Sequence, residues 1–302
     1  MVYPEKIKIL FDTIKNQKPV NVAVVWPDSK ESLQGAILAA ETKVINPLLV
    51  GDINKIKQLA AELKVNIDHY QIVESNLDFA TKAAIEIVKE NKASVLMKGS
   101  LHTDQFMADI VSSSSGLRTK RRMSHCMLTD IPKYNKLLFI TDIALNIFPT
   151  LNDKVSIVQN AIDLAHAVGI AKPKVALLSA VESVDEKIPT TIDCAALCKM
   201  MDRGQITGAI MDGPLAFDVA IDKEAALCKK VTSAVVGDPD IVVVPNLEAG
   251  NILFKSLEYL AGAIGYGVVL GAKVPIILTS RAAGAEERAG SCLLARFLVG
   301  KL

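Results

Sequence analysis

The sequence predicts an α/β fold, with mostly parallel strands and helices on both faces. Two observations predict it. Short apolar runs alternate with amphipathic segments along nearly the whole chain, which is the pattern of repeated strand–helix units. Half of the residues are hydrophobic but only 5% are aromatic, so the apolar content is mostly Ala, Val, Ile and Leu, as in strands buried on both faces. A length of 302 residues suits one large or two ordinary domains.

The elements follow in order. "VNVAVVWP" (20–27) is a strand, and 29–42 is a helix with Ser29 at its N-cap. A strand at 46–52 precedes a helix at 53–65. A strand at 68–75 precedes a long helix at 76–93. "SVLMKGS" (94–100) is a strand, and 103–116 is a helix ending at a glycine. The stretch 118–135 is a crossover between two lobes or an edge hairpin. Beyond it, strands are expected at 136–142, 174–180, 208–213, 240–245 and 273–280. Helices are expected at 153–169 and near 190–204, 217–229 and 249–262. "GAIGYGVVLGAK" (262–273) is glycine-rich but is neither GxGxxG nor a Walker A sequence.

Composition excludes several classes. A net charge of +1 provides no global field for nucleic acid or membrane. The charged, amphipathic N-terminus lacks the apolar core of a secretion signal. No apolar stretch reaches the roughly 20 residues needed to span a bilayer. Five cysteines without a CxxC pair read as free thiols in a reducing cytoplasm. There is no HExxH and no GxSxG, and Cys194 and Cys198 read as core thiols rather than metal ligands.

Ligands of such sheets collect outside the carboxyl ends of the strands. Five of those ends carry polar residues. They are Lys98, Gly99, His102 and Thr103; Asp142 and Asn146; Asp212, Gly213 and Pro214; Asn246, Glu248, Gly250 and Asn251; and Thr279, Ser280 and Arg281. Singly, the asparagines read as helix caps and the glycines as turns. Together, a cation, hydroxyls and small residues at several strand ends make an anion site, to which helix N-termini add free N–H groups. Arg281 offers a planar fork for phosphate or pairs with Glu286 or Glu287. Arg118, Lys120, Arg121 and Arg122 form the densest positive run, either a solvated loop or a capture site for a polyanionic substrate. Without interleaved aromatics it is no nucleic-acid platform.

Several strings carry a resemblance: "LMKGSLHT", "RRMSHC", "FITDIALNIFP", "GQITGAIMDGPLAFDVAI", "GDPDIVVVPNLEAGNILFKSLEYLA" and "VPIILTSRA". From roughly residue 15 onward the chain resembles the phosphate acetyl/butyryltransferases, most closely the phosphate butyryltransferase branch. The resemblance implies an isocitrate/isopropylmalate dehydrogenase-like fold of two α/β domains with a cleft between them. Their expected spans are 1–135 plus 281–302, and 136–280. It also implies a homodimer or larger homo-oligomer. The implied reaction is acyl-CoA plus inorganic phosphate giving acyl phosphate plus CoA. It runs in a ternary complex without a covalent acyl-enzyme or a metal, and CoA is substrate and product rather than resident cofactor.

By the same resemblance Arg281 binds the phosphate, and Ser280 hydrogen-bonds the oxyanion or the leaving phosphate. The acetyltransferase branch has an aspartate seven residues after the serine as base for CoA; here that position is Glu287. Ala283 stands where many relatives carry an aspartate. "TDQFMADIV" lacks the arginine of the acetyltransferase branch, so Lys98 or the 118–122 run supplies that charge. Leu145, Ile147 and Phe148 are candidates to line the acyl pocket. The acyl phosphate is a natural substrate for an acyl kinase.

Two other readings remain open at the level of sequence. One is a metal- and NAD-dependent decarboxylating dehydrogenase on the same fold, for which Asp142, Asp212 and Asp218 are available. The other is a non-catalytic CoA-binding regulator, against which Ser280-Arg281 and "PNLEAGN" argue.

Overall fold

The computed structural model describes residues 3–280 and 282–301, so Arg281 lies outside the described residues. In chain order come α1 (Glu5–Asp12), β1 (Val20–Val25), α2 (Lys30–Glu41), β2 (Ile45–Gly51), α3 (Ile53–Leu63) and β3 (Ile72–Glu74). Then follow α4 (Leu77–Lys89), β4 (Val95–Lys98), α5 (Thr103–Val111), β5 (Ser124–Asp130), β6 (Leu138–Thr141) and α6 (Leu151–Ala167). Next are β7 (Lys174–Leu178), α7 (Pro189–Asp202), β8 (Ile210–Leu215), α8 (Phe217–Ile221), α9 (Lys223–Cys228) and β9 (Ile241–Val243). The last are α10 (Leu247–Ala261), β10 (Ile264–Leu270), β11 (Ile276–Ile277) and α11 (Ala285–Arg296).

The chain divides into two compact units, Met1–Arg121 with Tyr266–Leu302, and Arg122–Gly265. The resemblance noted above places these changes of lobe near 135 and 280. In the first unit the strand order is β3-β2-β1-β4-β11-β10, parallel except for the β10–β11 pair. From β1 the chain steps through α2 and α3 towards β3, then returns over two strands through α4 to β4. With right-handed crossovers, those opposite directions put α2 and α3 on one face and α4 on the other. In the second unit the order is β5-β6-β9-β7-β8, parallel except for β5–β6.

Local chemistry explains the elements. The Ser29 hydroxyl accepts from Ser32 N, and Ser32 bonds back in a capping box, so α2 starts where the sequence predicts. Ser32, Gly35, Ala36 and Ala39 form a stripe of small buried residues beside the buried Leu33 and Ile37, and at Gly35 α11 comes so close that a Cβ would lie 2.7 Å from Arg288 Cβ. α11 is buried along the whole run from Arg288 to Ala295. In the second unit, Ile140, Ala176 and Val242 from adjacent strands form a core with Leu215, Val219 and Phe254. Each large apolar side chain buried there contributes about 1.5–3 kcal/mol.

The structure corrects several expected boundaries. The stretch 118–135 contains β5, which pairs antiparallel with β6 and is buried at all seven residues. The glycine-rich stretch at 262–273 holds a strand, β10. Gly265 belongs there by close packing, since a Cβ would lie 2.6 Å from the Phe254 ring and 2.9 Å from Met127 Sδ. β8 runs on to Leu215, so Asp212, Gly213 and Pro214 lie within a strand rather than beyond its end. The helix expected at 217–229 is two helices, because Asp222 is extended and its carboxylate caps α9 through Glu224 N and Ala225 N. Among the described residues, no helix is long and apolar enough to cross a membrane.

Candidate active site

Two groups of candidate residues form, one in each unit. In the first, β4 pairs in parallel with β11, with Leu96 opposite Ile276 and Met97 opposite Ile277. The two strands therefore end together, and the segments carrying Lys98 to Thr103 and Thr279-Ser280 leave the sheet side by side.

Lys98 is fully buried. Its ammonium donates to the carbonyls of Gly99 (3.3 Å) and Leu101 (3.2 Å), so it shapes its own loop. Gly99 faces backbone, where a Cβ would stand 2.3 Å from the Trp26 carbonyl oxygen. His102 is the exposed N-cap of α5 and makes no side-chain cap, and Thr103 is the exposed first residue of that helix. Ser280 is exposed, and its hydroxyl accepts from Ala282 N at 3.3 Å. The Thr279 hydroxyl beside it is buried and has no hydrogen-bond partner among the described residues. Glu287 is half-buried on α11.

The second group is built around Asp142, which is buried at the end of β6. Its Oδ1 accepts from Ala144 N (2.9 Å) and Leu145 N (3.0 Å). Its Oδ2 accepts from Asn146 N (3.2 Å) and Asn146 Nδ2 (2.5 Å). Asn146, also buried, donates from Nδ2 to the Met123 carbonyl at 2.9 Å and accepts on Oδ1 from Arg122 Nε at 2.8 Å. Arg122 is thus aimed through Nε while its side chain stays 59% exposed. Asp153 lies 3.8 Å from that Nε. Burial alone raises the Asp153 carboxyl, but hydrogen bonds from Thr150 and the Arg122 charge hold it below the usual range.

β9 runs beside β6, so the start of α10 joins this group, with Leu247 N donating to the Ile147 carbonyl. Asn246 caps α10 through Ala249 N at 2.9 Å. Glu248 is exposed and Asn251 half-buried, and Gly250 packs on the Asp142 carbonyl, 2.8 Å from where a Cβ would be. Asp212, Gly213 and Pro214 do not join them, since β8 lies two strands beyond β9. Asp212 is spent on Gly213 N, and Gly213 packs against Leu177. Arg118 and Arg121 are exposed and belong to the first unit, so the division of the chain cuts the basic run before Arg122.

Sequence reasoning missed Arg288. It is 2% exposed and donates to three backbone carbonyls, those of Ala283, Lys98 and Ser280. Burial lowers its pKa, against the raising effect of Glu287 and Glu31. The available signal was its position four residues before Cys292 on the buried stripe of α11. Among the described residues, no three His, Cys, Asp or Glu side chains gather as metal ligands.

Comparisons with known proteins agree with one another. The family profile described as Phosphate acetyl/butaryl transferase matches residues 77–295. The chain is 50% identical over 293 residues to a phosphate acetyltransferase of Rhizobium meliloti, covering 97% of this chain and 93% of that protein. It is 39% identical over 288 residues to a phosphate butyryltransferase of Clostridium acetobutylicum, covering 95% and 96%. A branched-chain phosphotransacylase from Enterococcus faecalis V583 superposes with a TM-score of 0.81 at 30% identity, covering 93% of this chain and 99% of that one.

Proposed function

We propose, from the premise that this chain belongs to the phosphate acetyl/butaryl transferase family and is a phosphate acyltransferase, that Ser280, Arg281 and Glu287 carry out its chemistry on a short-chain acyl-CoA. The observation that best supports these residues is the shared end of β4 and β11. It brings an exposed serine hydroxyl beside the Lys98–Thr103 loop, directly ahead of the N-terminus of α11.

In this reading an oxygen of hydrogen phosphate attacks the thioester carbonyl, the C–S bond breaks, the acyl phosphate forms, and CoA leaves as its thiol, the sulfur taking a proton from Glu287 that the phosphate proton replaces. Arg281 grips the phosphate with a planar fork of donors. Ser280 donates to the carbonyl oxygen as it gains charge. Glu287 exchanges the thiol proton with the CoA sulfur, as base when CoA attacks and as acid when it leaves. Arg122, aimed by Asn146, is the second unit's candidate for the phosphates of CoA, and Arg118 and Arg121 are the first unit's. CoA is consumed and released, and the scheme calls on no further cofactor.

The acyl chain lies between acetyl and butyryl, and Ile147 and Phe148, 61% and 73% exposed, are the apolar groups on offer beside Asn146. The enzyme works as a homo-oligomer. The exposed Ile252, Tyr259 and Leu260 on α10 support an apolar contact between copies. Its five free thiols suit a reducing cytoplasm, and an acyl kinase is the class of enzyme that would consume its product.

The test is phosphate-dependent release of CoA thiol from acetyl-, propionyl- and butyryl-CoA, with wild type, Ser280→Ala and Arg281→Ala. Removing one oxyanion donor costs about 10²–10³ in rate, so Ser280→Ala is expected to fall by that factor. Absence of release by wild type from all three thioesters overturns the reading.

A further inference from the structure

We propose that Arg288 is a positioning residue for the reaction, its buried guanidinium clamping Ser280 and Ala283 to the end of β4 and so setting the aim of the Ser280 hydroxyl. The assignment rests on the roles given above to Ser280 and Arg281.

Three nitrogens of one planar group reach three carbonyls. Nε donates to Ala283 O at 3.2 Å, Nη1 to Lys98 O at 3.3 Å, and Nη2 to Ser280 O at 3.0 Å. The two acceptors on the turn bracket position 281 in the sequence, and the third ends the strand that leads into Gly99. A single rigid fork therefore ties both segments of the candidate site together. Lysine offers no such fixed spread of donors.

The arrangement is costly in two ways. Among the described residues every hydrogen-bond partner of Arg288 is a neutral carbonyl, although it is 2% exposed, and burial outweighs the favourable charges of Glu287 and Glu31 nearby. It sits in the first turns of α11, where the helix dipole opposes positive charge. Beside it, the close approach of α11 needs a glycine in the middle of α2, and the Ala285 carbonyl oxygen would stand 3.1 Å from a Cβ at Gly35. A Cβ at Gly35 would lie 2.7 Å from Arg288 Cβ and 3.2 Å from its Cδ. Glycine within a helix is itself destabilising. The α11 N-cap, Gly284, makes no side-chain cap, so the arginine is what fixes the start of the helix and the turn before it.

The consequence is separable from folding. A hydroxyl displaced by about 1 Å from its productive place loses up to about 10²-fold in rate while substrate binding elsewhere is retained. Arg288→Lys keeps the charge and most of the volume but loses the fork. It is expected to remain folded by circular dichroism and to lower kcat by about 10–100-fold. The KM for acyl-CoA should move less than about threefold, the split expected when transition-state alignment is lost and not uniform binding. Gly35→Ala, which pushes on Arg288 and on the first turn of α11 through the Ala285 carbonyl, should lower kcat in the same direction with the arginine intact.

If Arg288→Lys does not fold, the kcat of Gly35→Ala decides. Wild-type kcat in a folded Arg288→Lys, or in Gly35→Ala when the first variant is unfolded, overturns the assignment and leaves Arg288 a stabilising residue only. Ser280→Ala run alongside separates the two readings. An active wild type with inactive Ser280→Ala and fully active Arg288→Lys sinks the positioning role alone. A wild type that releases no CoA from any thioester sinks both.

Discussion

Replacing Asp142 with asparagine tests whether this carboxylate is a structural anchor before it is a ligand. In the native chain Oδ1 serves Ala144 N and Leu145 N, while Oδ2 serves Asn146 N and Asn146 Nδ2. Asp142→Asn leaves one oxygen, which keeps the first pair. An amide NH2 then meets the second pair, so donor faces donor. Turning the Asn146 amide over to relieve this would break its bond to the Met123 carbonyl and point its NH2 at Arg122 Nε. Two hydrogen bonds to a buried charged acceptor are therefore lost, at about 1.5–3 kcal/mol each, giving a destabilisation of about 3–6 kcal/mol. Against a typical stability of about 5–15 kcal/mol, that is a large fraction. Urea unfolding followed by circular dichroism measures it directly. The midpoint should fall with an unchanged slope. A loss below about 1 kcal/mol at unchanged slope would refute the reasoning, because the buried NH2 would then have found partners that the geometry denies it.

Two further outcomes follow from the same structure. Of the five cysteines only Cys228 is exposed, while burial pushes the thiols of Cys194, Cys198 and Cys292 up to about 12. A disulfide reagent at neutral pH should modify one thiol quickly in the folded protein and the rest only in denaturant, and Cys228→Ser should abolish the fast phase. An undiminished fast phase in that variant would contradict the burial. The second concerns acid. Burial pushes the Asp238 carboxyl up, but hydrogen bonds from Lys174 and Lys136 outweigh it and hold the group below its ordinary value. A carboxylate depressed in the folded state adds stability above its unfolded pKa of about 3.9 and loses it as pH falls through the lower folded value. Lys174→Met should therefore shift the acid-unfolding midpoint upward, and an unmoved midpoint would show the ion pair to be irrelevant to acid tolerance.

What was legible in the chain depended on whether a residue announces its partners. The α2 start was readable because Ser29 caps a bond only three residues away. The ends of β4 and β11 were readable because polar residues follow apolar runs at once. β10 was hidden, since Gly265 looks like a loop residue until the Phe254 ring that fills its missing side chain is known. Arg288 was hidden because its acceptors lie as far as 190 positions away in sequence. Asp142 and Asn146 stood out as polar, but nothing local says that they bond to each other through both the Asn146 backbone and its side chain. The acyl chain leaves the faintest trace, because one methylene is worth only about 1–3 kcal/mol in a pocket.

The first unit is written at both ends of the chain, with its β11 and α11 coming from the last 37 residues of the 302, Tyr266–Leu302. During synthesis the second unit is therefore complete while the first still waits for its final strand and helix. Throughout that interval β4 has a bare edge where β11 will pair, and the small-residue face of α2 has no cover. An unpaired edge beside exposed apolar surface is the state most prone to wrong association. For this protein the hazard is greatest in the interval after Gly265 has been made and before α11 has emerged, and a chain cut before α11 would leave the first unit open for good.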